Sequence, residues 1–351
     1  MPLPILVEPI FDPKPWGSRR LSAWCGEMPD RDIGEALLTT PEVRVRSGPE
    51  SGKTLGTLAE TSPHYWCGEQ GLRATQGQRI FPLLVKLIDA SETLSVQVHP
   101  DDALAAIRGL GTGKTEAWHI LDAVPGATVY AGLREGVDIT AFQEACRDQD
   151  DVSHLLNAVP AFAGMTMVVP AGTVHAIGGG LLIYEIQQPS NVTFRLNDWG
   201  RRDDHGHARE LHHVDGFEAL KPDQLPQPVT PMPMSDERAL LAATRHFALE
   251  RVEVPILRAL TLPPVQSPQV LTVLEGVVEA AVRGVPGSVV AHSGQTMIAP
   301  AESVVTLVAG TRATLLRGWA PDIEVDIVRP AQAAGLTGTN LSQLGLESLV
   351  R

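Results

Sequence analysis

The chain has 351 residues and a formal net charge of −13 at pH 7, which argues against nucleic acid or an anionic membrane surface as its main partner, since both reward a basic face. An anionic ligand would therefore need a local basic cluster. Three widely spaced cysteines, Cys25, Cys67 and Cys146, form no C-x-x-C pair; they suggest neither a disulfide framework nor a thiolate metal site and fit a reducing cytoplasm. Met1 to Glu8 lacks a basic n-region, and no run reaches the roughly twenty apolar residues of a membrane span, so neither an export signal nor a membrane anchor is expected.

Pro9 to Gly17 reads as an irregular arm ending in Pro15-Trp16-Gly17, with Trp16 a core plug or a pocket-mouth aromatic. Ile33 to Thr39 reads as a short strand, with Glu35 a solvated edge charge. Phe81 to Ile88 is apolar and of strand length; only Lys86 interrupts it, either snorkelling outward or pointing into a polar cavity. Leu94 to Pro100 follows and is expected to pair with it. Alternation puts Gln97 and His99 on one face and Val96 and Val98 on the other, and Pro100 ends the ladder.

Asp102 to Arg108 has helical spacing. The run Gly109 to Glu116 invites a phosphate-loop reading, but G-x-x-x-x-G-K-T would need glycine where Arg108 stands. It is read instead as a turn delivering Lys114, Thr115 and Glu116 onto a strand, Ala117 to Val124. Tyr130 to Leu133 reads as another strand. A helix is expected from about Asp138 to Asp148, with Ile139, Phe142 and Cys146 on one face.

Met165 to Val169, the turn Pro170 to Gly172, and Thr173 to Ile177 lead into Gly178-Gly179-Gly180; Leu181 to Gln187 and Val192 to Leu196 alternate as strands. Asp203 to His213 holds His205, His207, His212 and His213 in a polar setting and is read as a loop. Proline-rich Lys221 to Asp236 reads as a linker. Beyond it, strands are expected at Val252 to Leu262, Val270 to Val282, Ser288 to Ala291, Gln295 to Ile298, Val304 to Val308 and Ala313 to Leu316, with no acidic cluster beside His292. Residues from Ala331 onward read as a tail. Short strands punctuated by Gly and Pro indicate an antiparallel sandwich or barrel.

Gln97, His99, Glu116 and His175 supply two imidazoles, a carboxylate and an amide, a set that suits zinc and also accepts Mn²⁺ or Fe²⁺. From spacing alone, a metal at a barrel mouth and a set of satisfied polar residues both stay open.

The ordered combination of Phe81-Pro-Leu-Leu-Val-Lys-Leu-Ile-Asp-Ala, Leu94-Ser-Val-Gln-Val-His-Pro-Asp-Asp, Gly113-Lys-Thr-Glu-Ala-Trp, Pro170-Ala-Gly-Thr-Val-His-Ala-Ile and Glu185-Ile-Gln-Gln-Pro-Ser-Asn-Val-Thr-Phe-Arg resembles the type I mannose-6-phosphate isomerase family. The motifs cover about Pro15 to His212; the rest matches in texture only. The resemblance implies a mostly β fold of two cupin jelly-roll barrels: a metal-binding unit over 1–220 with a small helical insertion at about 101–160, a linker over 221–237, and a metal-free unit over 238–351. It implies one Zn²⁺ per chain held by Gln97, His99, Glu116 and His175, and an active site with Arg195, Lys114 and Glu185. Ser95 would share that pocket. Lys86, Lys114, Arg195 and Arg201 are candidates for the basic cluster holding the phosphate, with Trp16 at the pocket mouth. The implied reaction is aldose–ketose isomerisation of mannose 6-phosphate through an enediolate, with Glu185 and a metal-bound water both open as the base. A cytoplasmic monomer or homodimer acting on a sugar phosphate follows. The alternatives are a cupin that only binds or senses sugar phosphates, an isomerase of a related non-phosphorylated sugar, and an oxygenase. Trp16-Gly17-Ser18 and Ala36-Leu37 depart from the family pattern at the pocket edge, as does His207.

Overall fold

Short apolar runs, rich in Val, Ile and Leu and broken by Gly and Pro turns, favour many short strands over long helices. The computed structural model of the chain describes residues 3–202, 205–336, 341 and 344 and is mostly β. Its earlier strands are β1 (Ile5–Glu8), β2 (Ile10–Asp12), β3 (Glu35–Leu37), β4 (Arg44–Val45), β5 (Leu84–Ala90), β6 (Val96–Val98), β7 (Glu116–Ala123), β8 (Thr128–Leu133), β9 (Leu156–Pro160), β10 (Thr166–Val169), β11 (His175–Ile177), β12 (Leu181–Gln187) and β13 (Phe194–Asn197). The later ones are β14 (Pro228–Val229), β15 (Met232–Ser235), β16 (Arg238–Ala243), β17 (Ala248–Val254), β18 (Leu260–Leu262), β19 (Gln269–Glu275), β20 (Val277–Val282), β21 (Val289–His292), β22 (Thr296–Ala299), β23 (Val305–Val308) and β24 (Ala313–Trp319).

These strands form four sheets. The five-stranded sheet (β13-β6-β11-β8-β9) and the seven-stranded sheet (β14-β10-β7-β12-β5-β3-β2) enclose a core containing Trp118, Ile120, Val129, Ile177 and Ile183. The other face of the seven-stranded sheet, through Leu87, Tyr184 and Ile186, packs on Leu249, Val270 and Leu316 of the eight-stranded sheet (β15-β16-β17-β24-β19-β22-β1-β4). That sheet in turn covers the four-stranded one (β18-β23-β20-β21) through Val252, Leu271, Val278 and Leu307. Strand β12 is buried along its whole length because both faces of its sheet are covered. Helices Ile139–Asp148 and His213–Ala219 close the outer side of the five-stranded sheet, where Phe142 and Cys146 meet Val96 and Val98. No helix among the described residues is long and apolar enough to cross a membrane.

Several expectations are corrected. The strand from the Phe81–Ile88 run and the one from Leu94–Pro100 are not neighbours: β5 lies between β3 and β12, β6 between β11 and β13. The connection between them crosses from one sheet to the other, tied by Ser91 N–H to Trp16 O and Leu94 N–H to Ile177 O. The N-terminal arm is irregular over Pro13 to Gly17, but its first part is not, since β2 pairs with β3. Strand β1 pairs with β22, so it lies in the sheet built otherwise mainly from the C-terminal part. The segment 101–160 carries helices Asp102–Arg108 and Ile139–Asp148 but also β7, β8 and β9, so it is no purely helical insertion. Helices instead also fill the polar stretch before β5, at Leu55–Thr61, Pro63–Trp66 and Gly68–Ala74; Thr54 caps the first by accepting the Thr57 N–H. Ile139 is exposed, because its position in the first helical turn projects past the sheet that covers Phe142. The linker contains β14, which pairs with β10 as an edge strand where Pro228 costs no ladder bond, and β15, which pairs with β16. Part of the tail is core: Ala331, Leu341 and Leu344 are buried, and Leu344 O accepts the Ala243 N–H.

Gly178 ends the strand that carries His175. A Cβ there would lie 2.1 Å from the Thr128 carbonyl oxygen, a backbone atom with no freedom to move aside. Gly178→Ala is therefore expected to destabilise the chain by about 1–3 kcal/mol in urea unfolding; an unchanged midpoint would contradict this close approach.

Candidate metal centre

Register decides which side chains meet. His175 on β11 is opposite Gln97 on β6, and Gln97 is opposite Arg195 on β13, so all three side chains share one face of the five-stranded sheet. His99, two residues beyond Gln97, continues that face. Across the core, Lys86, Glu185 and Trp118 form a row on β5, β12 and β7, and Glu116 stands two residues before Trp118. The two sheets thus aim their polar rows at one another.

His99 Nε2 is 3.3 Å from Glu116 Oε2, and His175 Nε2 is 3.4 Å from Glu116 Oε1. Lys114 Nζ lies 2.9 Å from Glu116 Oε2 and 3.0 Å from His99 Nε2. All four groups are buried. His175 Nδ1 donates to the Thr173 carbonyl at 2.9 Å; a carbonyl only accepts, so the proton sits on Nδ1 and Nε2 presents a lone pair. That lone pair is buried without a hydrogen-bond partner and faces a carboxylate. Two acceptors turned toward each other out of water call for a cation. The ligating atoms of His99, Glu116 and His175 lie within 4.8 Å of one another, and the group fits a divalent ion, with the Thr173 carbonyl orienting one imidazole.

Burial would raise the Glu116 carboxyl, but Lys114 and His99 hold it well below the usual carboxylate range. Burial and the adjacent Glu116 charge push Glu185 up, against the pull of Lys86. Both carboxylates accept from the same Trp118 Nε1–H, at 3.1 Å each. Burial opposes the charge on Lys86, yet Glu185 at 3.1 Å and Glu35 at 3.6 Å raise its pKa above that of an ordinary lysine. Lys86 therefore points into the polar interior. Glu35 is no solvated edge charge: its side chain is only slightly exposed, and although desolvation opposes ionisation, Lys86 and Lys14 lower its pKa. Burial, followed by Lys114, lowers His99 to about 3, and burial lowers His175 as well.

At the rim, Arg195 donates to Glu210 O at 2.8 Å, while its Nε is buried without a partner. Burial and neighbouring Arg209 lower its pKa. Arg209 escapes sequence reasoning, for it stands in no motif; it is doubly bonded to Asp198 and lies 5.2 Å over the ring of Trp16. Arg201 is engaged with Asp198 at 3.3 Å and with Thr93 O at 2.6 Å, and Ser95 is buried just beyond Thr93. Trp16 is buried in the core between the two sheets. Of the four-histidine segment, Asp203 and Asp204 lie outside the described residues. His212 Nδ1 accepts from Arg195 N–H, and His213, which begins a helix, faces Leu196 O.

The family model for the phosphomannose isomerase type I catalytic domain matches residues 52–120. The chain is 35% identical over 231 residues to the mannose-6-phosphate isomerase ManA of Bacillus subtilis, covering 64% of this chain and 70% of that one. It is also 35% identical over 225 residues to a mannose-6-phosphate isomerase of Streptococcus mutans, covering 62% and 67%. Among solved structures, a mannose 6-phosphate isomerase from Bacillus subtilis aligns with TM-score 0.78 and 27% identity over 90% of this chain and 99% of that chain. A putative mannosephosphate isomerase from Archaeoglobus fulgidus shares the fold, with TM-score 0.71 and 22% identity over 91% and 99%.

The depressed imidazoles fix the sign of a pH effect. In the metal-stripped chain, His99 and His119, lowered by burial to about 3 and about 4, stay neutral in the fold while their unfolded counterparts ionise below pH ~6.5. Their contribution is present above that pH and lost as pH falls toward the folded values. Urea unfolding is expected to give a stability lower at about pH 5 than at about pH 7.5 by ~2 kcal/mol per such imidazole; equal stabilities would contradict their neutrality.

Proposed function

The chain belongs to the mannose-6-phosphate isomerase family, and from that premise we propose that the polar rows between its five- and seven-stranded sheets form the site where mannose 6-phosphate and fructose 6-phosphate interconvert. One observation carries the placement: His99, Glu116 and His175 converge, buried, with the His175 Nε2 lone pair unpaired and aimed at the carboxylate. With Gln97 opposite His175 in register, these residues hold one zinc ion.

Isomerisation moves a proton between C1 and C2 of the open-chain sugar through an enediolate whose negative oxygen must be stabilised. When bound, the metal supplies Lewis acidity toward the sugar's carbonyl and hydroxyl oxygens. Glu185 carries the proton: burial and Glu116 make it more basic than an ordinary carboxylate, and Trp118 and Lys86 fix its position. Arg195 shares the face of Gln97 and His175 and offsets charge developing on the substrate oxygen. Lys114 places an ammonium beside Glu116 and His99, within reach of a hydroxyl bound there. The phosphate lies at the rim beside Ser95, where Arg201 grips Thr93 O and Trp199 Nε1 donates to Leu94 O. Lys86 adds positive charge inside, and Trp16 backs the rim under Arg209.

On this reading each pair of facing sheets is one cupin jelly roll, the catalytic unit over 1–220 and the second over 238–351, with 221–237 between them; β1 and β4 of the first join the eight-stranded sheet of the second. The protein acts in the cytoplasm as a monomer or homodimer.

Metal-replete protein should form fructose 6-phosphate from mannose 6-phosphate in a coupled assay. Glu185→Gln should lower kcat by roughly 10²–10⁴-fold with metal content intact; a wild-type rate would remove Glu185 from the proton transfer. His175→Ala should abolish both bound metal and turnover, and activity surviving that change would mean that the ligands are misassigned.

A further inference from the structure

Asp102 belongs neither to the ligand group nor to the carboxylate row. It opens the helix Asp102–Arg108, three residues after His99, which follows β6. Its Oδ1 accepts the Gly113 N–H at 2.9 Å and an N–H of Gln188 Nε2 at 2.9 Å. Gln188 in turn accepts the Thr115 N–H on Oε1 at 2.9 Å and donates its own N–H to Thr115 O at 3.1 Å. Lys114 is thus held from both flanks, and its own N–H donates to Pro100 O at 3.0 Å. The contact is tight: a Cβ at Gly113 would lie 2.6 Å from the Asp101 carbonyl carbon and from Asp102 N.

The other carboxylate oxygen faces the eight-stranded sheet. Asp102 Oδ2 lies 3.1 Å from Arg245 Nη2 and 3.7 Å from His246 Nε2, and Arg245 Nε donates to His246 Nε2 at 3.0 Å. Both residues sit in the turn joining β16 to β17. A cavity of about 240 Å³ lined by Gln70, Arg73, Asp102, Arg245 and His246 opens beside this contact.

We infer that Asp102 is a positioning residue that sets the backbone of Gly113–Thr115, and through it the ammonium of Lys114, while Arg245 anchors its carboxylate from the C-terminal part of the chain. The inference rests on the assignment of Lys114 to the reacting site. A lysine ammonium on a four-carbon stem reaches one place only if its backbone is fixed, and a displacement of about 1 Å at a reacting group can cost on the order of 10²-fold in rate. The carboxylate suits this task, because it accepts two N–H bonds on one oxygen and ion-pairs through the other.

The test is steady-state isomerase kinetics on the metal-replete full chain, with metal content measured for every variant. Asp102→Ala should lower kcat about 10- to 100-fold with metal content unchanged. Asp102→Asn, which keeps an oxygen for Gly113 and Gln188, should recover to within about threefold of the wild type. Arg245→Ala should lower kcat about threefold, and should do nothing further in the Asp102→Ala background. In a Lys114→Ala background, Asp102→Ala should likewise add no further loss, because its effect passes through Lys114. A wild-type kcat in Asp102→Ala while Lys114→Ala is impaired would overturn the inference. So would an Asp102→Asn as slow as Asp102→Ala, or losses that multiply in the double variant. A wild-type kcat in Lys114→Ala would instead overturn the assignment of Lys114 itself.

Discussion

A carboxylate taken out of water must be matched by positive charge and hydrogen bonds, or the fold loses several kcal/mol, and at the candidate metal centre Glu116 is under that constraint. Its oxygens have the neutral imidazoles of His99 and His175 on one side, the Lys114 ammonium beside them, and the Trp118 N–H behind. Lysine and tryptophan answer part of the demand. The unpaired lone pair of His175 shows that a further cation is called for. The arrangement exists because three strands from distant parts of the sequence, β6, β7 and β11, are fixed in two facing sheets whose cores leave no freedom to relax. The same buried carboxylate then acts on the next one. By raising Glu185 while Lys86 keeps that group in place, it gives two neighbouring carboxyl groups different affinities for a proton, the difference that the proposed roles of ligand and proton carrier require.

The two pairs of sheets divide the work unequally. Between the eight- and four-stranded sheets the interior is filled by Val, Leu, Ala and Met side chains such as Val273, Leu307 and Met297. Among the described residues, the one ligand group of this kind lies between the other two sheets. The C-terminal sheets instead give the seven-stranded sheet a rigid backing. Tyr184 and Ile186 are buried against them on one face of β12, while Glu185 between them faces the site.

The side chains of the candidate metal centre are legible because strand alternation is local. Gln97 and His99 fall on one face by period two, and His175 follows a Pro-Gly turn that stops one strand and starts the next. The residues that escaped depend on pairing that no local pattern carries. Glu35 looked like an edge charge until β3 was placed beside β5, bringing it to Lys86. Arg209 needs Trp16 from the other end of the catalytic region, and Asp102 needs the turn carrying Arg245. For the same reason β5 and β6, close in sequence, look like a pair although the chain crosses between sheets there. The polar stretch before β5 hid three short helices, each too brief for periodicity to stand out. Leu341 and Leu344 escape because leucines scattered among Gly, Thr, Ser and Gln give no clear period, yet both are buried in the core between the sheets.

The central claim is that one metal ion, seated among Gln97, His99, Glu116 and His175, is required for isomerisation. It is tested most directly by stripping the protein with a chelator and restoring zinc in measured steps while following mannose 6-phosphate turnover. Activity should be absent from the stripped protein, rise in proportion to added metal and level off at about one equivalent per chain. Full turnover in protein shown to be free of metal would contradict the account.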